Sequence, residues 1–190
     1  MDDFTQSWTF PLDSIDFVHL RYMIGSVKDW PALFREAYKC IKPSGYIESF
    51  DPRGIYESDD GTVKQGSAME QWGEFLDAGG KAMGQSFRVV DEDVQRLGLE
   101  EAGFVNIEYR DIKVPTGTWP KDPDLKQAGL CAYYAVSSDV EGHMVYMAEL
   151  LGWSMEEVYV YAAHIRRELR DPNIHGYYIV RVAWAMKPEA

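Results

Sequence analysis

Ile15-Asp16-Phe17-Val18-His19-Leu20-Arg21-Tyr22-Met23-Ile24 is a run rich in apolar, β-branched and aromatic residues. That is the composition of a strand covered on both faces. Gly25-Ser26 interrupts it. Asp29 then offers a helix N-cap and Pro31 suits a first turn. Trp30, Leu33, Phe34, Ala37, Tyr38 and Ile41 follow at helical spacing, one apolar stripe over three turns. Lys42-Pro43-Ser44-Gly45 stops this helix, and Tyr46-Ile47-Glu48-Ser49-Phe50 reads as the next strand. Strand, helix and strand with short links make a βαβ unit, which implies a parallel sheet and a right-handed crossover.

Working outward, 51–66 is polar and Gly-rich and is expected to be a loop. Ser67 and Glu70 have capping-box spacing, and Met69, Trp72, Phe75 and Leu76 give the following helix an apolar face that Gly79-Gly80 ends. A second helix, capped by Asp91, runs through Val94 and Leu97 to about Ala102 and Gly103. Val105, Ile107, Tyr109, Ile112 and Val114 alternate as in a strand. A proline-rich turn over 115–123 leads into a helical stretch, 124–170, with a second capping box at Ser154 and Glu157. Val158, Tyr161, Ile165 and Leu169 form the stripe behind that cap, and 175–186 closes as a strand. The expected order is β-α-β-α-α-β-α-α-β in one α/β domain over 1–190, with helical cap elements at about 66–85 and 124–170.

Composition narrows the partners. The 190 residues carry a formal charge of −12, and the longest basic run in the sequence is the pair Arg166-Arg167. Nucleic acid and anionic membrane are poor partners for such a surface. Cys40 and Cys131 lie outside any C-x-x-C or zinc spacing, so neither a disulfide framework nor a metal site is expected. His143, His164 and His175 share no ligand spacing either. The N-terminus lacks the basic and apolar regions of a signal peptide, so a cytoplasmic protein is expected. An aromatic content of 14%, with 12 Tyr and 6 Trp, suits an apolar pocket or a large interface.

The stretches Phe17-Val18-His19-Leu20-Arg21, Asp29-Trp30-Pro31 and Lys42-Pro43-Ser44-Gly45-Tyr46-Ile47-Glu48 with Asp51, and the ending Met186-Lys187-Pro188, resemble class I S-adenosylmethionine-dependent methyltransferases. The similarity is strongest to the fungal branch related to the velvet-complex regulator of secondary metabolism. Ser44 departs from the usual K-P-G-G of that family. The resemblance implies a partial Rossmann-like methyltransferase fold. It would hold strands four to seven of a sheet ordered 3-2-1-4-5-7-6, with strand seven antiparallel. Strands one to three, with the glycine loop and the ribose-binding acid, would precede Met1. Asp2-Asp3 would match the acidic pair after strand three, and Asp2, Asp3 and Arg21 would serve the cofactor only if the absent half were supplied. Gly79-Gly80 and Gly84 follow a helix, and Thr116-Gly117-Thr118 sits in a turn, so neither replaces the glycine loop. No cofactor is expected to bind this chain alone.

His19 lies near the carboxyl end of a parallel strand, where α/β sheets place ligands. Asp51 follows the next strand at the same sheet end. The two would make a general-base pair, a histidine oriented by a carboxylate. Tyr22, Met23, Arg53, Trp72, Phe75, Tyr133, Tyr134 and Met147 are the expected walls of a substrate pocket, although a Met and aromatic stripe at helical spacing is more often core. Three activities follow. A cofactor-free relative would bind a hydrophobic small molecule and promote cyclisation, isomerisation or elimination. A methyltransferase would act once the missing half is supplied. A non-catalytic partner would act through its surface. The strand edge at 17–24 is expected to be covered, in a homodimer or by a partner chain.

Overall fold

The computed structural model describes residues 3–189. In chain order its elements are β1 (Ile15–Arg21), α1 (Trp30–Cys40), β2 (Ile41–Glu57), α2 (Ala68–Met83), α3 (Val94–Ala102), β3 (Val105–Pro115), α4 (Pro123–Ser137), α5 (Val140–Leu150), α6 (Met155–Arg170) and β4 (Tyr177–Met186). The four strands form one sheet in the order β1-β2-β4-β3. β1 and β2 are parallel, as the βαβ reading requires. Ser44 N–H donates to Lys187 O and Lys187 N–H to Gly45 O, at 3.0 and 2.9 Å. The end of β4 therefore lies beside the start of β2, and β4 runs opposite to it. This is the 4-5-7-6 portion of the methyltransferase sheet, a mixed α/β arrangement with the last strand antiparallel.

The boundaries differ from the sequence reading in instructive ways. β1 ends at Arg21 because Tyr22 turns left-handed, with φ 53, and the next two N–H groups bond to a side chain instead of a strand. The expected loop at 51 begins only after Glu57, since buried Asp51 and Tyr56 keep β2 in the sheet. Lys42 to Gly45 form an irregularity inside β2: the register jumps from Ile15 opposite Ile41 to Phe17 opposite Tyr46. α2 passes through Gly79-Gly80 and stops at Gly84, whose φ of 68 makes a left-handed cap. A Cβ on Gly79 would lie 2.6 Å from Met147 Sδ, so this glycine serves close packing, not termination. α3 is preceded by Asp93; Asp91 is engaged by Arg53. The stretch 124–170 holds three helices, one more than expected, because Ser138 and Asp139 break it and Asp139 caps α5.

Two compact units divide the chain, with boundaries inside β2, β3 and β4. The first takes in the chain up to Arg53, Arg88–Ile112 and the chain from Val180. Its core joins Val18, Leu20, Phe34, Ile47, Leu99 and Ala183, with α1 packed on α3. The second takes in Gly54–Phe87 and Lys113–Ile179. Its core joins Trp72, Phe75, Met144, Met147, Tyr161 and Ile165, where α2, α5 and α6 meet. Each Val, Leu, Ile, Phe or Met among them contributes about 1.5–3 kcal/mol by leaving water.

Candidate functional site

In the first unit the polar machinery gathers where β1 ends. Asp51 is fully buried, on the same face of β2 as Ile47 and Ser49. Its Oδ1 accepts the N–H groups of Met23 and Ile24 at 2.7 and 2.8 Å. Ser49 Oγ donates to its Oδ2 at 3.3 Å. Gln95 Nε2 in turn donates to Ser49 Oγ and Ser49 O, at 3.0 and 3.1 Å. Burial pushes the Asp51 carboxyl up to about 6, outweighing the hydrogen bonds that favour its charged form. The carboxylate thus ties the turn after β1 to β2.

His19 takes no part in this network. Residues on a strand alternate between faces, and His19 stands opposite Glu48 in register. Its Nδ1 lies 2.9 Å from Glu48 Oε1, half exposed. The expected His19–Asp51 pair is therefore corrected: Glu48 and Asp51 are three positions apart on β2, an odd offset, so the two carboxylates point to opposite sides of the sheet. Arg21 lies over the rings of Tyr22 and Phe50, 5.4 and 5.1 Å from their centroids. Met23 is half-buried and packs on the first core. Arg53 Nε donates to Asp91 at 2.6 Å. Asp2 lies outside the described residues, and Asp3 accepts from the N–H and Oγ1 of Thr5.

The pocket residues expected in the second unit occupy other roles. Trp72, Phe75 and Met147 are buried in its core. Trp72 stacks on Tyr161 at 6.4 Å and Phe75 meets Trp153 at 5.1 Å, which closes the space between the helices. Tyr133 accepts from Arg170, which lowers its hydroxyl pKa, and Tyr134 is 60% exposed. The open space lies elsewhere in this unit, in a groove of ≈ 580 Å³ whose lining includes Ala68, Trp153, Glu156, Val160, His164 and Arg167. At its edge Glu168 accepts the N–H groups of Ala68 and Met69, supplying partners to the first turn of α2.

Gln95, and the pairing of Glu48 with His19, went unread in the sequence, though each left a signal. Gln95 is a polar residue four positions before Leu99 on the buried stripe of α3. Glu48 follows from register once Phe17 is set opposite Tyr46.

Two groups that could meet a cofactor at this sheet end are engaged within the chain. The two N–H groups of Met23 and Ile24 that a ligand could use at this strand end are filled by Asp51, and the Asp3 carboxylate is engaged with Thr5. Among the described residues, no helix is long and apolar enough to cross a membrane.

A family model described as a methyltransferase domain matches residues 1–109. The chain is 35% identical over 190 residues to the methyltransferase pytC of Aspergillus terreus, covering 99% of this chain and 57% of that protein. The probable methyltransferase tdiE of Emericella nidulans is 33% identical over 190 residues, with 99% of this chain and 58% of tdiE covered. The secondary metabolism regulator LAE1 of Cochliobolus heterostrophus is 31% identical, covering 98% of this chain and 61% of LAE1. The chain therefore spans little more than half the length of these relatives. With its sheet order and the matched residues agreeing, this chain belongs to the methyltransferase-domain family.

Proposed function

We propose that this chain contributes the acceptor side of a methyl-transfer reaction on a hydrophobic small molecule of fungal secondary metabolism. The supporting observation is the turn at the end of β1, held by Asp51 and bordered by Arg21, Tyr22 and Phe50. α/β sheets bind ligands beyond the carboxyl ends of their strands, and this turn leaves an aromatic and cationic surface there. The cofactor-binding residues are taken to lie outside these 190 residues, on a segment that pairs with β1. β1 is an edge of the sheet, and Phe17, 53% exposed, flanks it. An uncovered apolar edge is a template for another strand, whether from a partner chain or a second copy.

Titration calorimetry of the chain with S-adenosylmethionine and its demethylated product should show no heat of binding. A micromolar dissociation constant would overturn the assignment of the cofactor site to another segment. Hydrogen exchange of the outward-facing β1 amides reads the edge: protection supports a covering strand, and exchange at the rate of an open loop removes it. Turnover of a hydrophobic substrate without S-adenosylmethionine would favour the cyclase, isomerase or lyase reading. Loss of both binding and turnover from a folded protein would favour a non-catalytic partner.

A further inference from the structure

We infer that the outward face of α6 is a self-association surface, which pairs with α6 of a second copy of this chain as two antiparallel helices. The face is a stripe of five positions, Glu156, Val160, Ala163, Arg167 and Arg170, spaced alternately by four and three residues, with Trp153 just ahead of the Ser154 cap. That is the seam spacing of a helix that packs against another helix. Yet from Glu156 onward the stripe is exposed, and Val160 is 59% open to solvent. The surface along it is concave. The ≈ 580 Å³ groove is lined by Trp153, Glu156, Val160 and Arg167, and a second recess of ≈ 600 Å³ by Ala163, Arg167 and Arg170.

The charges choose the occupant. The other ionised groups nearby have partners within the chain: Glu157 closes the Ser154 cap, Glu168 binds the start of α2, and Arg166 pairs with Glu141. Among the described residues Glu156 has no such partner, and Arg167 has only a 3.5 Å contact with His164. Glu156 lies in the first turn of α6 and Arg167 in the last. A parallel copy would set like charges together. An antiparallel copy sets Glu156 against the partner's Arg167, twice by symmetry, and Val160 against the partner's Ala163. It also sets Trp153 against the partner's Arg170, where a cation meets an indole. Ala163, the smallest side chain of the stripe, lets the helices approach at the centre. A single helix pair falls below the about 1,200 Å² of a stable interface, so association is weak and concentration-dependent.

Sedimentation equilibrium on the full chain tests this with a charge swap. The wild type should move from monomer to dimer over about 1–200 µM, a weak association on the affinity scale. E156R and R167E should each weaken the dimer about tenfold or more, because two attractive contacts become repulsive. The double variant E156R/R167E should restore it, since every contact again joins opposite charges. Both positions of exchange are exposed, and unchanged melting curves exclude unfolding as the cause. A wild type that stays monomeric overturns the proposal. So does a dimer untouched by either single change, which would place association elsewhere, β1 included. Weakening without rescue in the double variant overturns the antiparallel register.

Discussion

His19 and Glu48 face each other across β1 and β2 with Nδ1 and Oε1 2.9 Å apart, half open to solvent on both sides of the pair. Three residues further along β2, Asp51 turns to the buried face and holds Met23 and Ile24 instead. Two carboxylates close together in sequence therefore do unlike work, and they should respond to mutation in unlike ways.

The exposed pair is expected to be worth little. Solvent screens it and ordering the side chains costs entropy, so His19→Ala should change stability by less than about 1 kcal/mol. Urea unfolding at neutral pH checks this. A loss of several kcal/mol would mean that the imidazole carries packing that the exposed geometry does not account for.

Asp51 should carry a pH signature. Its folded carboxyl is raised from 3.8 to about 6, so the folded state binds the proton more tightly than the unfolded state. Stability from this group is then fully present below about 3.8 and is lost as pH rises through about 6, by about 3 kcal/mol in all. Asp51→Asn keeps an acceptor for Met23 and Ile24 but carries no charge. The variant should gain on the wild type at pH 8 and lose that advantage by about pH 4. Paired denaturant curves at the two pH values give the difference. A constant offset would show that desolvation of the carboxylate does not control it.

Gly79→Ala should destabilise the second unit although alanine is the better helix former. The new Cβ would lie 2.8 Å from Met147 Cβ, an atom anchored to the backbone of α5. Overpacking of this kind costs about 1–3 kcal/mol, more than the about 1 kcal/mol gained in helix propensity. Adding Met147→Ala removes the obstructing atoms beyond Cβ, so the double variant should lose less than the two single losses combined. Strict additivity in thermal melts would place the cost elsewhere.

Ser154→Ala should cost about 1 kcal/mol, since the Ser154 side chain accepts Glu157 N–H while the Glu157 carboxylate accepts Ser154 N–H. Denaturant midpoints measure the loss. No change would mean that water replaces the cap without penalty.

Local pattern was enough for the type of most strands and helices, though not for all their ends. The β-branched run at 15–21 and the helical stripe of Trp30, Leu33, Phe34 and Ala37 each declare their own period, because side-chain spacing follows backbone geometry over a few residues. The Ser154 cap and the alternation of β3 were equally legible. The four-strand order followed from the family resemblance and was met by the sheet.

Partnerships between distant residues were not legible. Whether Gly79 ends a helix or admits Met147 depends on where α5 lies. Whether Asp91 caps α3 or binds Arg53 depends on a strand 38 residues away in sequence. Whether Asp51 meets His19 or Met23 depends on one step of register, which moves a side chain to the other face of the sheet. The sequence alone determined where most strands and helices lie, and which family they belong to, because those properties reside in short periods and motifs. Only the tertiary structure decided which charge meets which, and so where the buried network, the packed aromatics and the open α6 stripe lie. Burial and pairing arise from contacts between residues far apart in the chain, and no local period encodes them.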